Sequence, residues 1–290
     1  MGFTAEGVPY CPYLCGMNRE QLVDLIWRKR SYLCVGLDTD INKLPATIEP
    51  TTAGMLSFNK QIIDATRDYA VAYKINAAFY EAQGLDGWKV MEETVRYIGD
   101  EQFTIADAKR GDIGNTADQY AKAFFEKLPF DSVTVAPYMG KDSVQPFLAH
   151  KDKWAIVLGL TSNAGATDFE LLKLEASGNK PSRYLYEEVL EKTAAWGNTG
   201  NLMFVIGATQ AAQFTRIREI TPEHFYLVPG VGAQGGSLKE ISERAMIKDA
   251  GLLVNASRAI QYASSNADFA DKARQAAAAY QEEMSAYLPR

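Results

Sequence analysis

The chain has 290 residues, 47% of them hydrophobic, 11% aromatic and 23% charged, with a formal net charge of −6. That composition excludes a disordered chain; no run of about 18 apolar residues offers a membrane span, and the acidic balance argues against broad nucleic-acid binding. Three cysteines are too few for a disulfide framework at this length, which points to a reducing, cytoplasmic compartment, and two histidines, His150 and His224, exclude most His-rich metal sites.

Residues 1–16 hold three glycines, two prolines and the cysteines Cys11 and Cys15. They lack the basic start and long apolar stretch of a secretory signal. Cys11 and Cys15 also stand one residue too far apart for a Cys-x-x-Cys redox pair. The segment reads as a leader or disordered extension ahead of a single catalytic domain, residues 17–290. Asn18, with Gln21 three residues on, then marks a helix start. Strand-length apolar runs follow at residues 33–37, 70–75, 103–106, 132–136, 155–160, 202–206, 225–228 and 252–254. Helical spacing fills residues 61–68, 90–98, 118–128, 182–196, 238–249 and 268–288. Near-continuous apolar strands are covered on both faces, as in a parallel sheet. Eight strand–helix units predict an α/β fold, the (β/α)8 TIM barrel, with a doubly wound open sheet as the other arrangement. The longest connection, residues 163–198, is predicted to be an elaborated loop around the helix at 182–196.

In such a barrel the chemistry lies at the C-terminal ends of the strands. The first strand ends in Gly36-Leu37-Asp38, the second in Lys74-Ile75-Asn76 and the third in Asp107-Ala108-Lys109. The fifth leads into Thr161-Ser162-Asn163 and the eighth into Asn255-Ala256-Ser257-Arg258. Asp107 and Lys109 are two apart, so on an extended backbone their side chains share a face. A lone Asp-x-Lys is ordinarily a strand-end salt bridge without chemistry. With Asp38 and Lys74 converging on the same rim, the group reads as a compact charged site. Cys34 reads as a small buried hydrophobe, and His150 and His224 lie away from the rim.

Gly230, Gly232 and Gly235 match Gly-x-Gly-x-x-Gly after the seventh strand. A dinucleotide fingerprint belongs in the first strand–helix unit, with an acid ending the next strand, and neither holds here. The run fits a barrel phosphate site built from the loops after strands seven and eight, where Arg258 supplies a guanidinium fork. Thr161, Ser162 and Asn163 offer groups that bind a polar ring or simply cap a helix.

The run Asp107-Ala-Lys109-Arg-Gly-Asp112-Ile113-Gly-Asn-Thr116 resembles the signature of the orotidine 5′-phosphate decarboxylase family, Asp-x-Lys-x-x-Asp with a threonine four positions later. Gly36-Leu37-Asp38, Lys74, Thr161-Ser162-Asn163, the glycine run with Gln234 and Gly235, and Ser257-Arg258 follow the family's order, so the resemblance spans nearly all of residues 17–290. The wording is similar to the longer bacterial branch. This resemblance implies that Lys74, Asp107, Lys109 and Asp112 form an alternating charged network around a scissile carboxylate. It implies a homodimer in which Asp112, Ile113 and Thr116 complete the partner's site. Asp38 and Lys74 would bind ribose hydroxyls, Ser162 the pyrimidine, and Gln234, Gly235 and Arg258 the phosphate. Two departures are Ala164, where many relatives carry proline, and residues 1–16, which have no counterpart.

The implied reaction converts orotidine 5′-monophosphate to UMP and CO2, the last step of de novo pyrimidine biosynthesis, with no metal and no cofactor. Lys109 would stabilise and protonate the C6 carbanion, and Asp107 would disfavour the ground state. Beside this reading stand a Schiff-base aldolase using Lys109 or Lys74, a sugar-phosphate lyase, a nicotinamide-dependent dehydrogenase and a non-catalytic nucleotide binder.

Overall fold

Short strands whose residues are nearly all buried cannot leave a face to water, and the chain answers by wrapping them in helices. The computed structural model describes residues 16–178, 181–231 and 236–289. The strands are β1 (Leu33–Leu37), β2 (Ala72–Asn76), β3 (Phe103–Arg110), β4 (Ser132–Val135), β5 (Trp154–Leu160), β6 (Lys173–Leu174), β7 (Arg183–Tyr184), β8 (Leu202–Ile206), β9 (Phe225–Pro229) and β10 (Leu252–Ala256). All but β6 and β7 form one closed parallel barrel. β10 pairs back onto β1, Leu33 opposite Val254 and Val35 opposite Ala256, so no edge strand is left. The barrel of the sequence reading is borne out, and the open sheet is not.

The helices are α1 (Arg19–Lys29), α2 (Thr52–Thr66), α3 (Ala77–Glu81), α4 (Gly84–Ile98), α5 (Gly114–Lys122), α6 (Gln145–Leu148), α7 (Leu185–Ala194), α8 (Phe214–Ile220), α9 (Leu238–Ala245), α10 (Arg258–Gln261) and α11 (Phe269–Tyr287). Asn18 and Gln21 form the expected capping box on α1. Helix α1 buries Leu22, Leu25 and Ile26. Its entry is tied to the N-terminal end of the barrel: the Met17 N–H donates to Asp131 Oδ1 at 2.9 Å, and Trp154 Nε1 donates to the Met17 carbonyl at 2.9 Å. Asp131 also accepts both the backbone N–H and the hydroxyl of Thr104 at 2.8 Å. Trp154 packs edge-on against Phe103 and Phe225 there. These aromatic side chains pack at that end of the barrel, and the polar strand ends gather at the opposite mouth, where chemistry is placed in this fold.

Differences from the sequence reading lie at element ends. The predicted helix at 118–128 begins at Gly114 and finishes as a π-helical turn, Ala123–Lys127, that buries Phe124 and Phe125. The helix expected to reach residue 249 stops at Ala245, because Met246 is already extended. The connection 163–198 holds the expected helix, α7, and also the β6–β7 hairpin, whose two-residue strands are too short to show a periodicity. Cys11 and Cys15, like the rest of residues 1–15, lie outside the described residues. No helix among the described residues is long and apolar enough to cross a membrane.

His224 sits just before β9, buried against the Phe204 ring at 5.4 Å, and neither ring nitrogen has a hydrogen-bond partner among the described residues. Burial, with Arg218 and Arg19 nearby, lowers its pKa from 6.5 to about 4. The unfolded chain therefore binds the extra proton first, so this group's contribution to stability is present above pH 6.5 and is lost as pH falls toward 4. Urea unfolding across that window should show His224→Leu losing less stability than the wild type on acidification, by up to about 3 kcal/mol. Parallel pH profiles for the two proteins would refute this.

Candidate active site

Parallel register places the polar strand ends side by side. Gly36 of β1 lies opposite Lys74 of β2, and Asn76 of β2 opposite Asp107 of β3. Lys74 is 3% exposed. Its Nζ donates to Asp38 Oδ1 at 3.0 Å and to Asp107 Oδ2 at 3.0 Å. The other oxygen of Asp107, Oδ1, lies 2.6 Å from Lys109 Nζ. The result is a continuous row, Asp38–Lys74–Asp107–Lys109, of alternating charge. It runs from a buried ammonium to one on a half-exposed side chain.

Electrostatics explains why the row stays ionised. Burial by itself would drive the Lys74 ammonium to lose its proton, yet Asp38 and Asp107 together outweigh it and raise its pKa. Asp107 is likewise pushed up by burial but held well below the usual carboxylate range by Lys74 and Lys109. Charges about 4 Å apart attract by roughly 4 kcal/mol at an effective dielectric near 20, so two partners suffice to keep a buried ion charged.

The row forms one wall of a cavity of about 360 Å³ at the C-terminal mouth of the barrel. Asp38, Lys74, Asp107, Lys109, Ser162 and Arg258 of the sequence-predicted set all line it. Asn76 and Asn255 line it too, and their strand-end positions were the signal that could have marked them. Leu158, Val205 and Leu227 supply apolar lining. Across from the row, β9 is followed by Gly230, whose φ of 96° is a conformation that favours glycine. Arg258, exposed at the start of α10, has no acidic partner among the described residues. Gln234 and Gly235 lie outside the described residues. Gly36 is dictated by crowding, since a Cβ there would stand 2.7 Å from the Ser257 Cβ.

One feature departs from the sequence reading. Asp107 and Lys109 do meet, but not along an extended strand. Ala106 pairs with Val133 and Arg110 with Val135, so β3 bulges over this span, and Lys109 takes a left-handed φ of 48°. Asp112, Ile113 and Thr116, expected at a partner's site rather than at their own, lie outside the cavity. Arg110 pairs with Glu81 and lies over the Tyr120 and Phe124 rings, which draws the chain away from the mouth. Asp112 accepts the Ile113 N–H at 2.8 Å and makes no ion pair with Lys109 of its own chain.

A (β/α)8 barrel carrying a lysine–carboxylate row at its C-terminal mouth, with Gly230 and the exposed Arg258 guanidinium beside it, defines a barrel enzyme site suited to an anionic substrate. The comparisons give the family. The profile of the "Orotidine 5'-phosphate decarboxylase / HUMPS family" matches residues 31–273, and the chain belongs to that family. An orotidine 5′-phosphate decarboxylase of Flavobacterium johnsoniae is 55% identical over 272 residues, covering 93% of this chain and 97% of the relative. One of Christiangramia forsetii is 54% identical over 275 residues, covering 94% and 99%. The structure of Leishmania donovani OMP decarboxylase superposes with a TM-score of 0.80 at 37% identity, covering 93% of this chain and 98% of that one.

The buried ammonium yields a signed test. Lys74→Ala leaves Asp38 and Asp107 facing each other without the ammonium between them, with only the half-exposed Lys109 still beside Asp107, and should destabilise the protein by about 3 kcal/mol at pH 8. A proton shared between the carboxylates replaces the ammonium at low pH, so the penalty should shrink at pH 5. Urea unfolding at both pH values checks this; an equal or larger penalty at pH 5 contradicts it.

Proposed function

We propose that this chain decarboxylates orotidine 5′-monophosphate to UMP and CO2. The observation that carries the reading is the row Asp38–Lys74–Asp107–Lys109 at the cavity wall, with the Lys109 ammonium at its more open end. Relatives at 52–55% identity over nearly the whole chain are named for this activity, which favours it over the sugar-phosphate lyase and Schiff-base aldolase alternatives.

In this mechanism the C6 carboxylate of the substrate lies beside Asp107, where two negative charges crowd each other. The C6–carboxyl bond breaks, CO2 leaves and the electron pair remains on C6. The Lys109 ammonium stabilises that carbanion and transfers a proton to C6 to give UMP; the amine then regains a proton from water. Lys74, with one N–H left beyond its two carboxylates, and Asp38 bind the ribose hydroxyls. Ser162 holds the pyrimidine, and Arg258 with Gln234 and Gly235 holds the phosphate. Binding energy from that remote phosphate lowers the barrier at C6 rather than merely tightening the complex. No cofactor enters the scheme.

The same proposal makes the protein a homodimer whose sites are completed by Asp112, Ile113 and Thr116 of the partner subunit. Asp112 makes no ion pair with its own Lys109, and the neighbouring surface is apolar: Tyr138 is 88%, Phe169 61%, Ile113 53% and Met139 49% exposed. Apolar exposure of this kind on one face marks a protein–protein contact. Residues 17–290 form the catalytic unit in this reading, residues 1–16 an extension, and the compartment is the cytoplasm.

Chelator-treated protein should convert orotidine 5′-monophosphate to UMP, followed by ultraviolet absorbance, and Lys109→Ala should cut the rate by roughly 1,000-fold or more. No turnover by folded wild-type protein would sink the reading. Mixing inactive Lys109→Ala and Asp112→Ala subunits should restore about a quarter of the wild-type rate, because a mixed dimer regains one intact site. Absence of rescue after confirmed subunit exchange argues against the shared site.

A further inference from the structure

We infer that Thr134, on β4, is a positioning residue for the proton-donating lysine. The inference rests on the decarboxylase reading and concerns how Lys109 is aimed. Thr134 is 1% exposed and does not line the cavity, so it does not touch a bound nucleotide. Its hydroxyl nevertheless makes two contacts with the reacting centre. It accepts the backbone N–H of Lys109 at 2.9 Å and donates to Asp107 Oδ1 at 3.1 Å. That same oxygen takes the Lys109 ammonium at 2.6 Å. One hydroxyl therefore closes a loop from the backbone of Lys109, through Asp107, to the Lys109 side chain.

The need for such a bridge follows from the bulge. Between the Ala106–Val133 and Arg110–Val135 pairings β3 has more residues than β4 can match, so Lys109 has no ladder partner. It also holds a φ of 48°, which a residue with a Cβ adopts only when its surroundings impose it. The Thr134 hydroxyl supplies the missing acceptor for the Lys109 N–H, and its single proton goes to Asp107, so both of its capacities are used. Valine has the same shape but offers neither contact. Serine retains both.

Thr134→Val should lower kcat for orotidine 5′-monophosphate by about 100-fold, the scale of an ångström-size misplacement, while KM changes by less than about threefold. Thr134→Ser should stay within about fivefold of wild type. Affinity separates positioning from a merely structural role. Thr134→Val should bind UMP within about threefold of wild type, but should bind 6-hydroxyuridine 5′-monophosphate, which carries an anionic oxygen at C6, about 100-fold more weakly. Equal losses for the two nucleotides, or a kcat within threefold of wild type, overturn the assignment of Thr134. If Thr134→Val does not fold, Thr134→Ala, which also lacks the hydroxyl, is measured against Thr134→Ser with the same readouts. Wild-type protein that fails to turn over orotidine 5′-monophosphate removes the decarboxylase reading itself, and this inference with it. Turnover by the wild type with no defect in the variants removes only the inference.

Discussion

An ammonium withdrawn from water on a central barrel strand must be answered by negative charge from its neighbours, and Lys74 is answered on both sides. Asp38, at the end of β1, and Asp107, near the end of β3, reach it at the same 3.0 Å distance. Each carboxylate is in turn fixed by what it serves. Asp107 is held ionised, and its second oxygen is free to draw in Lys109. Removing the buried ammonium would leave like charges facing one another in a poorly solvated place, so the order of the whole mouth depends on it. The barrel supplies the geometry: parallel strands in fixed register present their ends at one level, so Asp38 just after β1, Lys74 on β2, and Asp107 and Lys109 on β3 are enough to build the row.

Behind the row, a second layer of buried polar groups keeps β1 in place. Tyr80 donates to the Leu37 carbonyl at 3.1 Å, and Gln261 donates to the Gly36 carbonyl at 2.6 Å. Asn59 donates to Tyr80 and Thr94, and accepts the Thr39 hydroxyl. Such a network, satisfied at each of these contacts, specifies one arrangement of the backbone that carries Asp38. On the β3 side the structure does the reverse and gives up regular pairing. The bulge and the left-handed residue at Lys109 are local departures that a strand makes only where surrounding contacts over-determine it, and they fall at the residue the proposed chemistry uses most.

The strands were legible because the signal is local. Residues 33–37 and 202–206 are strands over their full predicted extent, and the other runs match to within a few residues. Their apolar continuity reflects burial on two faces, which any window of five residues reveals. The charged residues were legible as strand-end positions, and Lys74, Asp107 and Lys109 meet as read. Thr134 was not legible: it is one hydroxyl inside an ordinary β-branched run, 25 residues from Lys109 in the chain. Nor was the Asn59 network, whose members come from separate helices and loops. The hairpin β6–β7 was missed because it has no period to detect.

By itself, the sequence determined the class of fold, the residues available at the mouth and the motif that places the chain in its family. Those properties depend on neighbours along the chain, where periodicity and spacing act. Only the tertiary structure decided that Lys74 is shared between two carboxylates and that Lys109 reaches Asp107 across a bulge rather than along a flat strand. Each of those depends on register and packing against another element. The partner of a hydrogen bond or an ion pair on a neighbouring strand is set by where the whole barrel closes, and no stretch of sequence records that closure.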